Sequence, residues 1–154
     1  MPQTSAGILL YRRTAGGPEV FLVHPGGPFW ARNDDGTWSI PKGLYTAGEE
    51  PAAAARREFE EEAGPLPAGP LHDLGSFRQP GGKMVRVFVL EGDFDLAAFR
   101  SNTFALEWPP RSGRMQDFPE ADRAGWFGLA EAERKLTRGQ QQVLAAFRGY
   151  LRIA

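Results

Sequence analysis

The chain has 154 residues, a length typical of one domain, and 42% of them are hydrophobic and 24% charged. Its formal net charge of −1 gives no overall positive field for long nucleic acid, and the absence of cysteine excludes disulfides, thiolate nucleophiles and cysteine-bound zinc. Residues 1–5 lack the basic and apolar parts of a signal peptide, and no run approaches the ~20 apolar residues of a membrane span. We therefore expect one cytoplasmic domain over residues 1–154, with neither a membrane nor long nucleic acid as partner.

The first half of the chain predicts a β-hairpin, a long loop and one well-defined helix. Ala6–Tyr11 and Val20–Val23 are apolar runs separated by Gly and Pro, which is typical of paired buried strands. Residues 25–36 are rich in Gly, Pro and Asp and predict a loop, after which a brief strand is expected at Trp38–Ile40. Residues 51–63 begin with Pro, which suits the first helical position, and continue with four consecutive alanines, which favours a helix.

The second half predicts four more strands and two more helices. In the best-defined strand, Val85, Val87 and Val89 share one face, and Arg86 and Phe88 lie on the other. Because strands and helices interleave, the pattern favours a single α/β domain in which helices flank a mixed sheet. The predicted strands are 71–79, 84–91, 103–108 and 123–127, the helices are 129–135 and 139–151, and the loops between them include 109–114 and 117–122.

The helix at 51–63 carries a charge pattern that opposes its own stability. Glu58, Glu61 and Glu62 are spaced i, i+3, i+4, so they share one helix face and repel each other. They also lie at the C-terminal end, where the helix dipole disfavours negative charge. A solvated acidic face is the common explanation of such a run. A divalent cation would reverse the balance, because clustered carboxylate oxygens suit Mg²⁺ or Mn²⁺.

The wider spacing around these glutamates narrows the interpretation. From Gly43 the chain reads G-x5-E-x7-R-E-F-E-E-E-A-G, with seven residue identities at fixed spacing. A chance match is on the order of 10⁻⁸ per starting position. The pattern resembles the signature of the Nudix hydrolase family over residues 43–65, and the order of predicted elements resembles that family's fold over the whole chain. Pro65 departs from the signature, which usually ends in an aliphatic residue, and this affects the exit loop rather than the carboxylates.

The resemblance implies a Nudix fold, a mixed β-sheet sandwiched between α-helices. It also implies a MutT-like pyrophosphohydrolase that depends on Mg²⁺, with Mn²⁺ as a possible substitute. The implied metal ligands are the carboxylates of Glu58, Glu61 and Glu62 and the backbone carbonyl of Gly43.

Further roles follow from the same resemblance. Glu49 and Arg57 are expected to form an ion pair that braces the preceding loop against the helix and supports catalysis. Phe59, with Ala55 and Ala63, is expected to face the core from the opposite side of the helix. For the general base, two candidates stay open. Glu61 lies within the cluster, whereas Glu120 lies six residues before Trp126, a separation similar to that in MutT-type and diadenosine-polyphosphate relatives.

Four residues are candidates for substrate binding. Lys42 lies in a W-x-x-P-K-G run that looks like that of Nudix enzymes acting on diadenosine polyphosphates and oxidised nucleoside triphosphates, so it is a candidate phosphate clamp. Arg111 and Arg114 lie in a loop expected to reach the same end of the sheet and could bind outer phosphates. Trp30, in the long loop, could stack on a base. The two histidines, His24 and His72, have no partner at ligand spacing and are expected to be structural or solvated.

The substrate is not fixed by these patterns. A nucleoside triphosphate or a dinucleoside polyphosphate is expected, and nucleotide sugars, dinucleotide cofactors, capped RNA ends and inositol pyrophosphates are alternatives. A different class, a non-catalytic Nudix module that senses nucleotides, usually loses one or more of the glutamates that this chain keeps. Both a monomer and a homodimer are compatible with the sequence.

Overall fold

A six-stranded mixed sheet forms the centre of the protein in the computed structural model, which describes residues 4–153. A separate two-stranded sheet stands beside it. The strands are β1 (Thr4–Thr14), β2 (Gly17–Pro25), β3 (Lys42–Leu44), β4 (His72–Arg78), β5 (Met84–Glu91), β6 (Thr103–Glu107), β7 (Met115–Pro119) and β8 (Ala121–Gly128). The helices are α1 (Pro51–Glu62), α2 (Leu129–Lys135) and α3 (Gln141–Ile153), with short 3₁₀ turns at Leu96–Ala98 and Arg138–Gln140.

The main sheet has the order β4-β5-β1-β2-β8, and β3 also pairs with β1. β1 runs parallel to β5 along one edge, and every other pair is antiparallel. The opposite edge of β1 is shared, because β3 pairs with Ser5–Gly7 and β2 with Tyr11–Thr14. Residues 38–44 thus enter the sheet where β1 and β2 separate. Gly7 permits this, since a Cβ there would lie 2.8 Å from both the Lys42 Cβ and the Pro41 carbonyl oxygen.

The core has two layers, one on each face of the sheet. On one face, α1 contributes mostly small residues, which let its backbone lie close to the strands, and Phe59 fills the remaining space. On the other face, α2 and α3 pack larger side chains, including Phe147, against β1, β2 and β5. The expected sandwich of a mixed sheet between helices is therefore confirmed. Phe59, Ala55 and Ala63 are fully buried, as expected.

Two expectations about secondary structure were wrong. Trp38–Ile40 forms only isolated bridges, from Trp38 to Leu136 and from Ser39 to Val23, and the strand is Lys42–Leu44 instead. Pro41 does not end pairing here, because its carbonyl accepts a hydrogen bond from the Ile8 amide and the strand begins directly after it.

The second error concerns residues 117–122, which were expected to form a loop. Met115–Pro119 is a strand that pairs with β6, and Ala121 begins β8. The β6–β7 hairpin is largely exposed, so it lacks the apolar alternation by which a half-buried strand is recognised. The other predicted elements are present with boundaries shifted by a few residues. Within residues 4–153, none of the helices has the length and apolarity needed to cross a membrane.

Candidate active site

The helix α1, which carries the glutamates near its C-terminal end, is stabilised by capping at its N-terminal end. The Glu50 side chain caps the helix by accepting hydrogen bonds from the amides of Ala52 and Ala53, both at 3.1 Å. Pro51 occupies the first helical position, where no amide donor is needed. Capping and the buried Phe59 together offset the repulsion among the glutamates on the outer face.

Arg57 connects the loop before the helix to the glutamates on it. Its Nε and Nη2 contact the two carboxylate oxygens of Glu49 at 2.8 and 3.0 Å, so the expected ion pair is confirmed and is bidentate. The Nη1 atom lies 2.9 Å from Glu58 and 3.2 Å from Glu61, which the sequence did not predict. These contacts hold the pKa of Arg57 above its ordinary value, and the guanidinium lowers the pKa of Glu49.

Gly43 lies directly against the Glu58 carboxylate. A Cβ at position 43 would come within 2.0 Å of the Glu58 Oε2 atom, so only glycine fits here. Gly43 is fixed by its pairing with Ala6 in β1. The sheet and the helix therefore meet at this point, where the Gly43 backbone lies against the Glu58 carboxylate.

A pocket of about 440 Å³ opens at this junction, and we call it the carboxylate pocket. It is lined by Lys42, Gly43, Leu44, Glu58, Glu61, Glu62, Asn102, Thr103 and Glu120. The structure thus brings together the three helix glutamates proposed as metal ligands and Glu120, with Lys42 and Gly43, although Glu120 is distant in the chain. It also adds Asn102, Thr103 and Leu44, for which the sequence carries no recognisable signal.

The backbone of Asn102 connects the end of α1, which carries three of the glutamates, to Glu120. Its amide donates to the Glu61 carbonyl at 2.7 Å, and its carbonyl accepts from the Glu120 amide at 2.8 Å. These two bonds fix the start of β8 to the end of α1. Glu120 consequently lines the same pocket as the helix glutamates.

Glu62 has the most perturbed electrostatics in the pocket. Its pKa is raised to about 7, mainly by burial and less by Glu58 and Glu120, and Lys42 opposes the rise. The Lys42 amide also donates weakly to Glu62, at 3.4 Å. Burial likewise raises the pKa of Glu58, and Arg57 opposes that rise. The pocket therefore has excess negative charge, which an added cation would relieve.

The donor set suits a hard divalent cation, since it consists of carboxylate oxygens and the Gly43 carbonyl. Within residues 4–153, however, no three acidic or imidazole side chains converge closely enough to enclose one ion. Arg57 draws Glu58 and Glu61 toward itself. A bound cation would have to compete with Arg57 for these two carboxylates, whereas Glu62 has no guanidinium contact in this part of the chain.

A second pocket of about 440 Å³ adjoins the first and shares Lys42, Glu62 and Glu120 with it. We call it the amide pocket, after the two glutamine side chains in its wall. Its other lining residues are Pro25, Trp30, Gly36, Thr37, Ser39, Gln79, Thr137 and Gln140. Trp30 is 45% exposed and borders this pocket, whereas its neighbour Phe29 packs edge-to-face on Trp108, with ring centroids 5.3 Å apart.

Arg111 and Arg114 lie apart from both pockets. They are exposed in the turn of the β6–β7 hairpin, and neither lines the carboxylate or the amide pocket. Thr103, at the base of this hairpin, borders the carboxylate pocket. The strand β6 extends roughly 13 Å from Thr103 to Glu107, so the turn lies about that far from the pocket. The loop was expected to reach the same end of the sheet as the glutamates, but it does not border the carboxylate pocket. Phosphate binding by these arginines stays a prediction, and their position does not support it.

Both histidines have the structural or solvated settings expected. His24 is fully buried, with Nδ1 2.8 Å from the Asp122 carboxylate and Nε2 donating to the Asn33 carbonyl at 2.6 Å. It therefore ties the loop at 25–36 to β8. His72 is exposed at the start of β4, with its ring 6.0 Å from that of Tyr150.

Comparison with known proteins agrees with this geometry. The family model described as NUDIX domain matches residues 1–147. An RNA pyrophosphohydrolase of Rhodospirillum rubrum is 42% identical over 66 residues, which cover 41% of this chain and only 38% of that protein.

Solved structures show the same fold at low sequence identity. A C. elegans Ap4A hydrolase in a binary complex superimposes with a TM-score of 0.68 at 22% identity, covering 99% of both chains. The NUDIX domain of Shewanella oneidensis NrtR, complexed with ADP ribose, superimposes with a TM-score of 0.70 at 16% identity, covering 98% of this chain and 89% of that one.

Proposed function

We propose, since the chain belongs to the Nudix family, that it is a hydrolase cleaving a diphosphate linkage in a nucleotide-like substrate with Mg²⁺ or Mn²⁺. The observation that carries this proposal is the carboxylate pocket, in which four glutamates and Lys42 face one cavity. All the acidic positions of the family signature are present, which favours an enzyme over a module that only senses nucleotides.

The pocket supplies the groups that such a hydrolysis needs. When bound, a divalent ion would neutralise phosphate charge and acidify a water molecule. The carboxylates of Glu58, Glu61 and Glu62 and the Gly43 carbonyl would hold it. Water attacks one phosphorus, the bridging P–O bond breaks, and the phosphate or nucleotide on the far side leaves. A carboxylate, Glu61 or Glu120, accepts the proton of the attacking water.

Lys42 is the residue we assign to the phosphate chain. It borders both pockets, and its charge already lowers the pKa of Glu62. A nucleoside triphosphate or dinucleoside polyphosphate brings three or more negative charges to a site that holds four glutamates, so a protein cation is needed beside the metal. We therefore propose these two substrate classes ahead of nucleotide sugars, which carry only two phosphate charges.

Turnover of a substrate panel, with and without Mg²⁺, tests the proposal. The panel contains nucleoside triphosphates, dinucleoside polyphosphates, a 5′-triphosphorylated RNA and nucleotide sugars, scored for phosphate or nucleotide release. Metal-dependent release from a polyphosphate substrate is the expected result. A protein that binds nucleotides but hydrolyses none of them would instead be a sensing module.

The substrate class is tested by Lys42→Ala, with Lys83→Ala as a control that lines neither pocket. We expect the loss of kcat/KM to be larger for long polyphosphates than for a nucleotide sugar. Equal losses, or a nucleotide sugar as the better substrate of the unmodified protein, would contradict the assignment.

A further inference from the structure

Gln140 places an unused hydrogen-bond donor at the wall of the amide pocket. The residue is 1% exposed, and its Oε1 accepts from the Ile40 amide at 3.0 Å. Because a backbone N–H can only donate, this bond fixes the amide orientation and leaves Nε2 without a hydrogen-bond partner among residues 4–153. In that part of the chain no buried side-chain nitrogen or oxygen is sealed off without a partner. The Nε2 group must therefore open onto the pocket it lines.

Gln79 offers the complementary group in the same pocket. Its Nε2 donates to the Gly139 carbonyl at 2.9 Å, which fixes this amide in turn and leaves Oε1 without a hydrogen-bond partner in the part of the chain that the structure describes. Gly139 makes this close approach possible, since a Cβ there would lie 2.8 Å from Oε1 and 2.7 Å from Pro80 Cδ. The residues that line the amide pocket thus include one glutamine with an unpaired donor, Gln140, and one with an unpaired acceptor, Gln79, among residues 4–153.

The remaining surroundings indicate what these amides recognise. Trp30 supplies an aromatic surface at the pocket mouth, and the loop that carries it is tied down through His24 and Asn33. Lys42 and Glu62 join the amide pocket to the carboxylate pocket, so a ligand that fills the first projects its phosphates into the second. An aromatic ring beside a neutral donor and acceptor suits a flat heterocycle better than a charged or fully apolar group.

We propose that the amide pocket binds the nucleobase of the substrate, with Gln140 Nε2 and Gln79 Oε1 hydrogen-bonding to its edge and Trp30 stacking on its face. Nucleobase edges present hydrogen-bond donors and acceptors side by side, which matches the amide pair. Gln140 contributes most to specificity, because leaving its buried amide unmatched is costly. The assignment rests on the proposed function, since it defines which part of a nucleotide substrate enters beside the carboxylates.

The test compares binding of the four common nucleoside 5′-monophosphates with that of ribose 5-phosphate, by calorimetry and without metal. Because ribose 5-phosphate lacks only the base, the difference isolates base recognition. We expect at least one nucleotide to bind about tenfold or more tightly than ribose 5-phosphate. We expect Gln140→Glu, which keeps the acceptor for the Ile40 amide but replaces the free donor, to abolish most of that difference. Equal binding of all five probes would overturn the proposal.

Gln142→Glu is the matched control, because Gln142 is exposed in α3, two residues after Gln140, and lies outside the amide pocket. It should bind the probes like the unmodified protein. If Gln140→Glu does not fold, Gln79→Met removes the acceptor from a less buried position and should weaken base recognition in the same assay. Unchanged binding in the folded variants would contradict the assignment.

Binding and turnover separate the two proposals. Base discrimination without hydrolysis of any panel substrate would leave the amide pocket assigned and refute the hydrolase. Hydrolysis that is unaffected by the base, or by Gln140→Glu, would leave the hydrolase and refute the base site.

Discussion

The carboxylate pocket and the amide pocket adjoin each other but are built in different ways. Three of the four glutamates in the first come from α1, within five residues of one another, and they repel. The second is neutral apart from the residues it shares, and its lining comes from segments between Pro25 and Gln140. Local spacing along one helix thus concentrates the charges of the carboxylate pocket, whereas the fold brings together the residues of the amide pocket from distant segments.

The two pockets also differ in how their polar groups are satisfied. Each glutamine of the amide pocket already forms one hydrogen bond to the backbone through its side-chain amide, so the amide orientation is fixed before a ligand binds. In the carboxylate pocket, Glu58 and Glu61 are held by Arg57, and Glu62 is half-buried with a raised pKa. One pocket has its polar groups fixed in place, whereas the other concentrates like charges that a bound cation would balance.

The largest expected effect is on turnover, from Glu61→Gln. We expect a loss of about 10²-fold or more, because either a metal ligand or a general base is removed. The fold should persist, since Glu61 is partly exposed and removing one of several like charges relieves repulsion. The measurement is kcat, with the melting temperature as a check on folding.

Glu60→Gln is the control for this substitution. It makes the same chemical change one position earlier, on an exposed side chain that does not border the carboxylate pocket. It should retain nearly full activity. Near-normal turnover in a folded Glu61→Gln protein would refute the catalytic or metal-binding role assigned to Glu61.

The next effect is a metal-dependent gain in stability. At a Mg²⁺ concentration about 100 times Kd, binding adds roughly 2.7 kcal/mol to the free energy of unfolding, which raises the melting temperature by about 5–10 °C. Glu62→Gln should reduce this gain, whereas Gln140→Glu should not. The shift is measured by calorimetry, and its absence at millimolar Mg²⁺ and Mn²⁺, with or without nucleotide, would count against a metal site.

The pKa of Glu62 sets the pH dependence of that gain. Its value of about 7 in the folded protein exceeds the ordinary value of 4.5, so without metal this group favours folding below pH 4.5 and loses that contribution as the pH rises to 7. The metal binds only the carboxylate form. The increase in melting temperature on adding Mg²⁺ should therefore be larger at pH 8 than at pH 6, and Glu62→Gln should flatten the difference.

A smaller effect is expected for Arg57→Lys. Lysine keeps the charge but cannot form the bidentate pair with Glu49 while also reaching Glu58 and Glu61. Loss of such orienting contacts costs about tenfold in activity. The ratio of KM values between nucleotides with different bases should not change, because Arg57 does not line the amide pocket.

Arg56→Lys is the matched control, since Arg56 bonds to the Gly69 carbonyl and lies outside both pockets. It should have little effect on turnover. A changed base preference in Arg57→Lys would mean that the two pockets are coupled rather than independent.

The sequence predicted the features that depend on short-range spacing. The Gly43-to-Gly64 pattern placed the glutamates, the Glu49–Arg57 pair and the buried side of α1 correctly, because a helix fixes which residues share a face. Strand prediction from the sequence failed at Lys42–Leu44 and Met115–Pro119. A short strand beside Pro41 and an exposed hairpin lack the apolar alternation that marks a half-buried strand.

What only the tertiary structure decided is which distant residues meet. Asn102 and Glu120 reach the helix glutamates through two backbone hydrogen bonds, and Gln79 packs against Gly139, beside Gln140 in the chain, because glycine there permits close approach. The same structure kept Arg111 and Arg114 away from the pocket by extending β6 and β7 into a hairpin. Local periodicity fixes the face on which a side chain lies, but hydrogen bonds between segments far apart in the chain decide which faces come together.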